Sequence, residues 1–160
     1  MEKQTFLTFV LGNELFAVDV VNVLEVLEEQ TITRVPKAPE HILGIINFRG
    51  EILPVVNTRQ KFNLPTKSTE LKTFIIVYDL VKNDNHYTIS ATADGVKDVI
   101  EVEPSEIKPI PEIGISFDTR YIAGVIRRNE TFILLIHPEK VFSATEIETT
   151  IQLETTIQEQ

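Results

Sequence analysis

The sequence predicts an all-β chain with short helices, laid down as two tandem copies of one small β-unit. Three observations carry that prediction. Apolar runs are short and end at glycine, asparagine or proline, the punctuation of strands and turns. In Ile45–Ile46 and Ile52–Val56 consecutive positions are apolar, which asks for burial on both faces, as in a small barrel or sandwich. The pattern also repeats: Phe6–Val10 matches Phe74–Tyr78, Val23–Leu27 matches Val96–Ile100, and Ile42–Ile46 matches Ile122–Ile126. The spacing grows from 68 to 80 residues where longer loops intervene. One copy alone has too little core for comfort, so the two should pack on each other and leave a groove at their seam.

The first copy opens with a strand over Phe6–Leu11, a turn at Gly12–Glu14 and a return over Leu15–Val18. Asp19 can cap one or two helical turns, which the valines that follow cut short before an extended segment near Glu25. Pro36 and Pro39 force an extended path, and Pro39–Ile42 reads as a brief helical turn. Gly44–Phe62 is a hairpin whose tip, Arg49-Gly50-Glu51, uses the positive φ that Gly50 tolerates. Asn63–Ser68 is the natural boundary between copies. The second copy runs through strands at Phe74–Tyr78, Tyr87–Ala93, Val96–Val102, Tyr121–Ile126 and Phe132–Ile136. Ser143 and Glu146 form a capping-box pattern for a short C-terminal helix that ends in an acidic tail.

Composition narrows the function. A net charge of −9 argues against nucleic acid, whose phosphates need a basic face, and is compatible with a partner carrying basic patches. The 160 residues contain no cysteine, so disulfides, thiolate metal sites and cysteine nucleophiles are excluded together. No basic leader runs into a long apolar core at the N-terminus, and no apolar stretch is long enough to span a bilayer.

Catalytic chemistry finds no foothold. His41, His86 and His137 share no ligand spacing, so neither a metal site nor another cofactor is expected. The glycines are isolated turn residues rather than a phosphate loop, and no serine sits in a nucleophile elbow. Asp94 and Asp98 read as turn and surface carboxylates rather than an acid–base pair. What remains is recognition, and the hairpin tip is its best candidate. The second copy places Arg127-Arg128-Asn129-Glu130 where the first has Asn47-Phe48-Arg49-Gly50, so the unit closes without that motif. Asn47, Arg49 and Gly50 are therefore expected to serve a partner more than the fold.

These residues, with Leu43–Gly50 followed by Ile52–Val56 and Thr58–Phe62, resemble the CheW family of chemotaxis coupling proteins. Phe16–Asp19 leading into Val23–Val26, Asp94–Val99, Ile107–Glu112 and Tyr121–Gly124 agree in the same order, so the resemblance runs from about Phe6 to Phe142. It implies two SH3-like five-stranded β-barrels packed together within one domain over 1–145. The barrels would span about 12–66 and 67–142, with the N-terminal strand free to pack on either, and 143–160 would be helix and tail.

The resemblance further implies a non-enzymatic cytoplasmic adaptor, monomeric when free and without membrane insertion. Such a protein joins chemoreceptor cytoplasmic tips to the regulatory domain of the histidine kinase CheA in membrane-associated arrays. Carried over by position, Val23, Gly44, Asn47, Arg49, Gly50 and Phe74 would contact receptor, while Val20, Glu25, Lys108 and Ile113 would contact kinase. Gly44 would admit a receptor helix, Val23 and Phe74 would supply apolar area, and Arg49 with Glu25 would set register by charge. The same fold serves as the regulatory domain of CheA and in CheV-type proteins, which is the alternative reading. Asn57 and Thr58 depart from the aspartate and leucine usual in the family, and His137-Pro138 departs from its apolar–acidic pair, which points to an early end for the last strand.

Overall fold

The structure, a computed structural model, describes residues 2–28, 30–64, 73–110 and 119–142. Its strands are β1 (Gln4–Leu11), β2 (Glu14–Asp19), β3 (Val23–Glu28), β4 (Ile42–Phe48), β5 (Glu51–Val56), β6 (Phe74–Lys82), β7 (Asn85–Ala93), β8 (Gly95–Val102), β9 (Ile122–Arg128) and β10 (Thr131–Ile136). Helices among the described residues are short: α1 (Thr58–Lys61), α2 (Pro138–Val141) and single 3₁₀ turns at Val20–Asn22, Pro104–Glu106 and Thr119–Tyr121. The expected tail helix and Ile113 lie outside the described residues.

Local chemistry accounts for the turns. Asp19 Oδ1 accepts from Val21 N at 3.0 Å, so the helical start anticipated there is one 3₁₀ turn before β3. Asn57 Oδ1 accepts from Gln60 N at 3.3 Å and caps α1. Three hairpins turn on two consecutive residues in the left-handed region: Arg49 and Gly50 (φ 51° and 85°), Asn83 and Asp84 (53° and 63°), and Asn129 and Glu130 (49° and 67°). That geometry matches the twist of the strands it joins. β10 stops at Ile136, which matches the end of β5 at Val56, so His137-Pro138 shortens nothing.

The strands form two curled mixed sheets, in the orders β8-β1-β2-β10-β9 and β3-β6-β7-β5-β4. Under the sequence repeat, β6 stands for β1, β7 for β2, β3 for β8, β4 for β9 and β5 for β10, and the two orders are then the same. In the β4–β5 and β9–β10 hairpins the correspondence holds to the residue. Gly44 pairs with Val55 as Gly124 pairs with Leu135, and past a one-residue irregularity Ile42 meets Val56 as Ile122 meets Ile136. The register irregularities at Leu24 and at Lys97–Asp98 also coincide under the repeat. In the second of these, Thr8 Oγ1 donates to Asp98 O at 3.0 Å and accepts from Asp98 N at 2.9 Å, which fills the gap in the ladder.

The barrel boundaries differ from the expected ones. A cut near residue 66 separates neither sheet, because each half lends its first two strands to the sheet of the other. The cause is the short link between β2 and β3: one 3₁₀ turn carries the chain from the first sheet into the second. Hydrophobic pattern cannot reveal this exchange, since either sheet would satisfy the same strand.

Three apolar cores follow from this arrangement. Phe6, Ala17, Val102, Ile126, Ile133 and Leu135 fill the first barrel, and Ile46, Phe48, Leu53, Val55, Ile75 and Val77 fill the second. The largest core lies between them and includes Phe9, Phe16, Phe62, Tyr78, Ile89, Leu134 and Phe142. Phe16 stacks on Phe9 at 5.8 Å and meets Phe62 in a tilted contact at 5.3 Å, and Tyr78 meets Phe142 at 5.2 Å. Each such side chain contributes roughly 1.5–3 kcal/mol by burial, so this shared core holds the barrels together. The two-faced burial of β5 is thereby explained: Leu53 and Val55 face their own barrel, and Val56 faces the shared core.

Candidate partner-binding site

The β4–β5 hairpin projects Arg49 at its tip. Asn47 Oδ1 accepts from Gly50 N at 2.9 Å and fixes the turn. Arg49 Nη2 donates to Glu25 Oε2 at 3.1 Å, and the guanidinium lies 4.8 Å from the centre of the Phe48 ring. The arginine side chain is still 71% exposed and the glutamate 38%, so both can be reached from solvent. The structure thus brings together one residue expected on the receptor face and one expected on the kinase face.

Val23 and Phe74 are half-buried and pack on the rim of the shared core. They lie at opposite ends of the β3–β6 ladder, where Val23 pairs with Tyr78 and Glu28 with Phe74, roughly 13 Å apart at strand rise. Glu25 sits between them, opposite Val77.

Gly44 behaves differently from expectation. It is buried, and a Cβ there would overlap Thr33 O and lie 2.9 Å from Ile32 Cγ2. The close approach that requires glycine comes from within the chain, where Thr33 and Ile45 exchange backbone hydrogen bonds at 2.9 and 2.8 Å. Gly124 repeats the arrangement: its Cβ would meet Ile107 Cγ2 at 2.6 Å and Lys108 O at 3.0 Å. Both glycines answer to the fold.

The other expected kinase residues are spread out. Val20 is 37% exposed in the turn between the sheets. Lys108 is exposed on the first barrel, and its backbone bridges Val125 at 2.9 and 2.7 Å. It rims a groove of about 550 Å³ with Pro109, Val125, Arg127 and Phe132. Glu106 also faces this groove; hydrogen bonds from the Glu103 backbone and from Arg128 hold its carboxyl below the usual range. Phe132, 59% exposed beside the β9–β10 turn, went unnoticed in the sequence because its strand reads as uniformly apolar. Val21, Leu24 and Val99, at 73%, 49% and 62% exposure, were also missed.

Asp94 is no surface carboxylate: it is paired with Arg59, with 17% and 13% of the two side chains exposed. Among the described residues, no group of three or more histidine, aspartate or glutamate side chains is placed to hold a metal, and no helix is long and apolar enough to cross a membrane.

Known proteins share this architecture. The model of the CheW-like domain family matches residues 5–146. The chemotaxis protein CheW of Klebsiella aerogenes is 33% identical over 90% of this chain and 84% of its own length, and that of Treponema pallidum is 27% identical over 92% and 86%. The crystal structure of the scaffolding protein TtCheW from Thermoanaerobacter tengcongensis superposes with a TM-score of 0.76 at 27% identity, covering 91% of each chain. The matched segment contains both sheets and the Arg49 hairpin, and the chain belongs to the CheW-like domain family.

Proposed function

We propose that this chain couples the cytoplasmic tips of chemoreceptors to a CheA-type histidine kinase, as a cytoplasmic adaptor recruited to membrane-associated arrays and performing no reaction of its own. The observation that carries this reading is similarity over nearly the full length of a solved CheW scaffolding protein. The receptor face is assigned to Val23, Phe74, Asn47, Arg49 and Gly50. A receptor helix would cover the apolar rim formed by Val23 and Phe74 while Arg49 exchanges its contact with Glu25 for one with the helix. Gly44 belongs to this face indirectly, by seating the Ile32–Thr33 segment. The kinase face is assigned to Val20 and Glu25 on one side and to Lys108 and Ile113 on the other. Thr33 and Lys108 occupy matching positions against β4 and β9, which supports two partner faces, one on each barrel.

The test is a pull-down of the purified chain against a receptor cytoplasmic fragment and CheA, separately and together. Capture of each alone, and of a ternary complex, is expected. Binding to neither overturns the reading.

A further inference from the structure

The first sheet takes only β1 and β2 from the first half of the chain; β8, β9 and β10 complete it. The chain path from the β1–β2 hairpin into the rest of its own half is the three-residue turn Val20–Asn22, in which Val20 and Val21 are 37% and 73% exposed, while Phe16 packs on Phe62 of that half in the shared core. It is held in its sheet by antiparallel pairing with β8 and by a short parallel pairing in which Leu15, Phe16 and Ala17 meet Ile133, Leu134 and Leu135. In the second sheet β6–β7 stands between β3 and β5 in the same manner. A single chain therefore has the architecture that two half-length chains would adopt after trading their first two strands.

From this arrangement we propose that β1–β2 is an exchangeable arm, and that the edges of β8 and β10 accept the arm of a second copy of this chain as they accept its own. Every strand pairing is the same in both cases, and only the path of the three-residue turn differs. Such exchange is a low-cost route to a dimer, and the balance is set by concentration against an effective intramolecular value on the order of millimolar.

A charged node latches the arm at its tip. Gly12 N donates to Asp94 Oδ2 at 2.6 Å, Asp94 N donates to Val10 O at 2.8 Å, and Arg59 reaches the same carboxylate through Nε at 2.7 Å and through Nη2. Asp94 and Arg59 lie on the receiving side, so the node forms again when the arm comes from a second copy. It therefore governs how fast arms exchange and leaves the final proportion of dimer unchanged.

Because the chain contains no cysteine, the exchange can be read by disulfide trapping. Thr5 and Glu101 are register partners across β1 and β8. Thr5→Cys and Glu101→Cys chains are mixed in denaturant, refolded together at millimolar concentration and oxidised; a Glu51→Cys chain, with its thiol on the remote β4–β5 hairpin, replaces the second partner to report random collision. The expected result is a Thr5→Cys to Glu101→Cys cross-link severalfold above the collision control and rising with refolding concentration, together with a species of twice the chain mass for the unmodified protein by light scattering. Arg59→Gln should speed exchange between prefolded chains about tenfold with no change in final yield. A cross-link no greater than the collision control, or a parent that is monomeric after refolding at every concentration, overturns the proposal.

Discussion

Glu25 and Arg49 lie 24 positions apart in the chain, yet their side chains meet at 3.1 Å, linking β3 to the hairpin at the opposite edge of the second sheet. The pair is exposed, so it should contribute only about 0.2–1 kcal/mol to folding. Arg49→Glu is expected to unfold in urea within about 1 kcal/mol of the parent while losing receptor association. The exchanged pair Glu25→Arg with Arg49→Glu should restore the stability without restoring the binding. If the exchanged pair binds receptor as the parent does, Arg49 acts only through Glu25.

The two buried glycines should differ in how they can be rescued. Gly44→Ala meets a backbone oxygen, and Gly124→Ala meets first a side-chain methyl. Overpacking of this kind costs about 1–3 kcal/mol. Adding Ile107→Ala should recover part of the loss in Gly124→Ala, relative to Ile107→Ala alone. Adding Ile32→Ala should not rescue Gly44→Ala, since Thr33 O stays in place. Double-mutant cycles from urea denaturation measure both.

Arg59 and Asp94 provide a third test. Removing one member of a largely buried pair leaves its partner uncompensated and typically costs about 3–5 kcal/mol; replacing both with apolar residues costs much less. Arg59→Met is therefore expected to destabilise the chain more than Arg59→Met combined with Asp94→Leu. Thermal unfolding of the two variants decides it.

Partial burial, and secondarily the charge of Lys140, hold His137 below the usual histidine pKa. Protonation is thus disfavoured in the folded state. The stability that results is present above the unfolded pKa near 6.5 and declines as pH falls from there through the folded value. His137 occupies the position of Asn57 but makes no capping hydrogen bond to α2. His137→Asn should remove the loss of stability that begins as pH falls below about 6.5, and add about 0.5–1 kcal/mol through the added cap.

Much of the fold was legible in the sequence, because strand and turn chemistry are local. The hairpins, the repeat and its register all follow from apolar runs and turn residues. Helix α1 was overlooked although Asn57, followed three residues later by Gln60, carries a capping signal. The trading of strands between sheets could not be read, because β1 and β6 present the same apolar pattern to either barrel. The burial of Asp94 depends on an arginine 35 residues away, and that of Gly44 on a segment whose path two prolines set. Pairings of this kind are decided by tertiary geometry alone. The hairpin tip stood out because its counterpart lacked the same residues, and that contrast survives in the structure as an exposed arginine.

The trading of strands has a temporal cost at synthesis. β2 leaves the ribosome early, yet its neighbour β10 is complete only at Ile136. At ordinary elongation rates, β2 waits roughly 6–23 s for β10, while β1 meets β8 once Val102 is made. During that interval Phe6, Phe9 and Phe16, all buried in the finished protein, have no completed sheet to enter. The second sheet is complete sooner, since β7 ends at Ala93 and closes it before β8, β9 and β10 are made. Folding on the ribosome should therefore run second barrel first, with the N-terminal hairpin held back and exposed to chaperones until the last strands arrive.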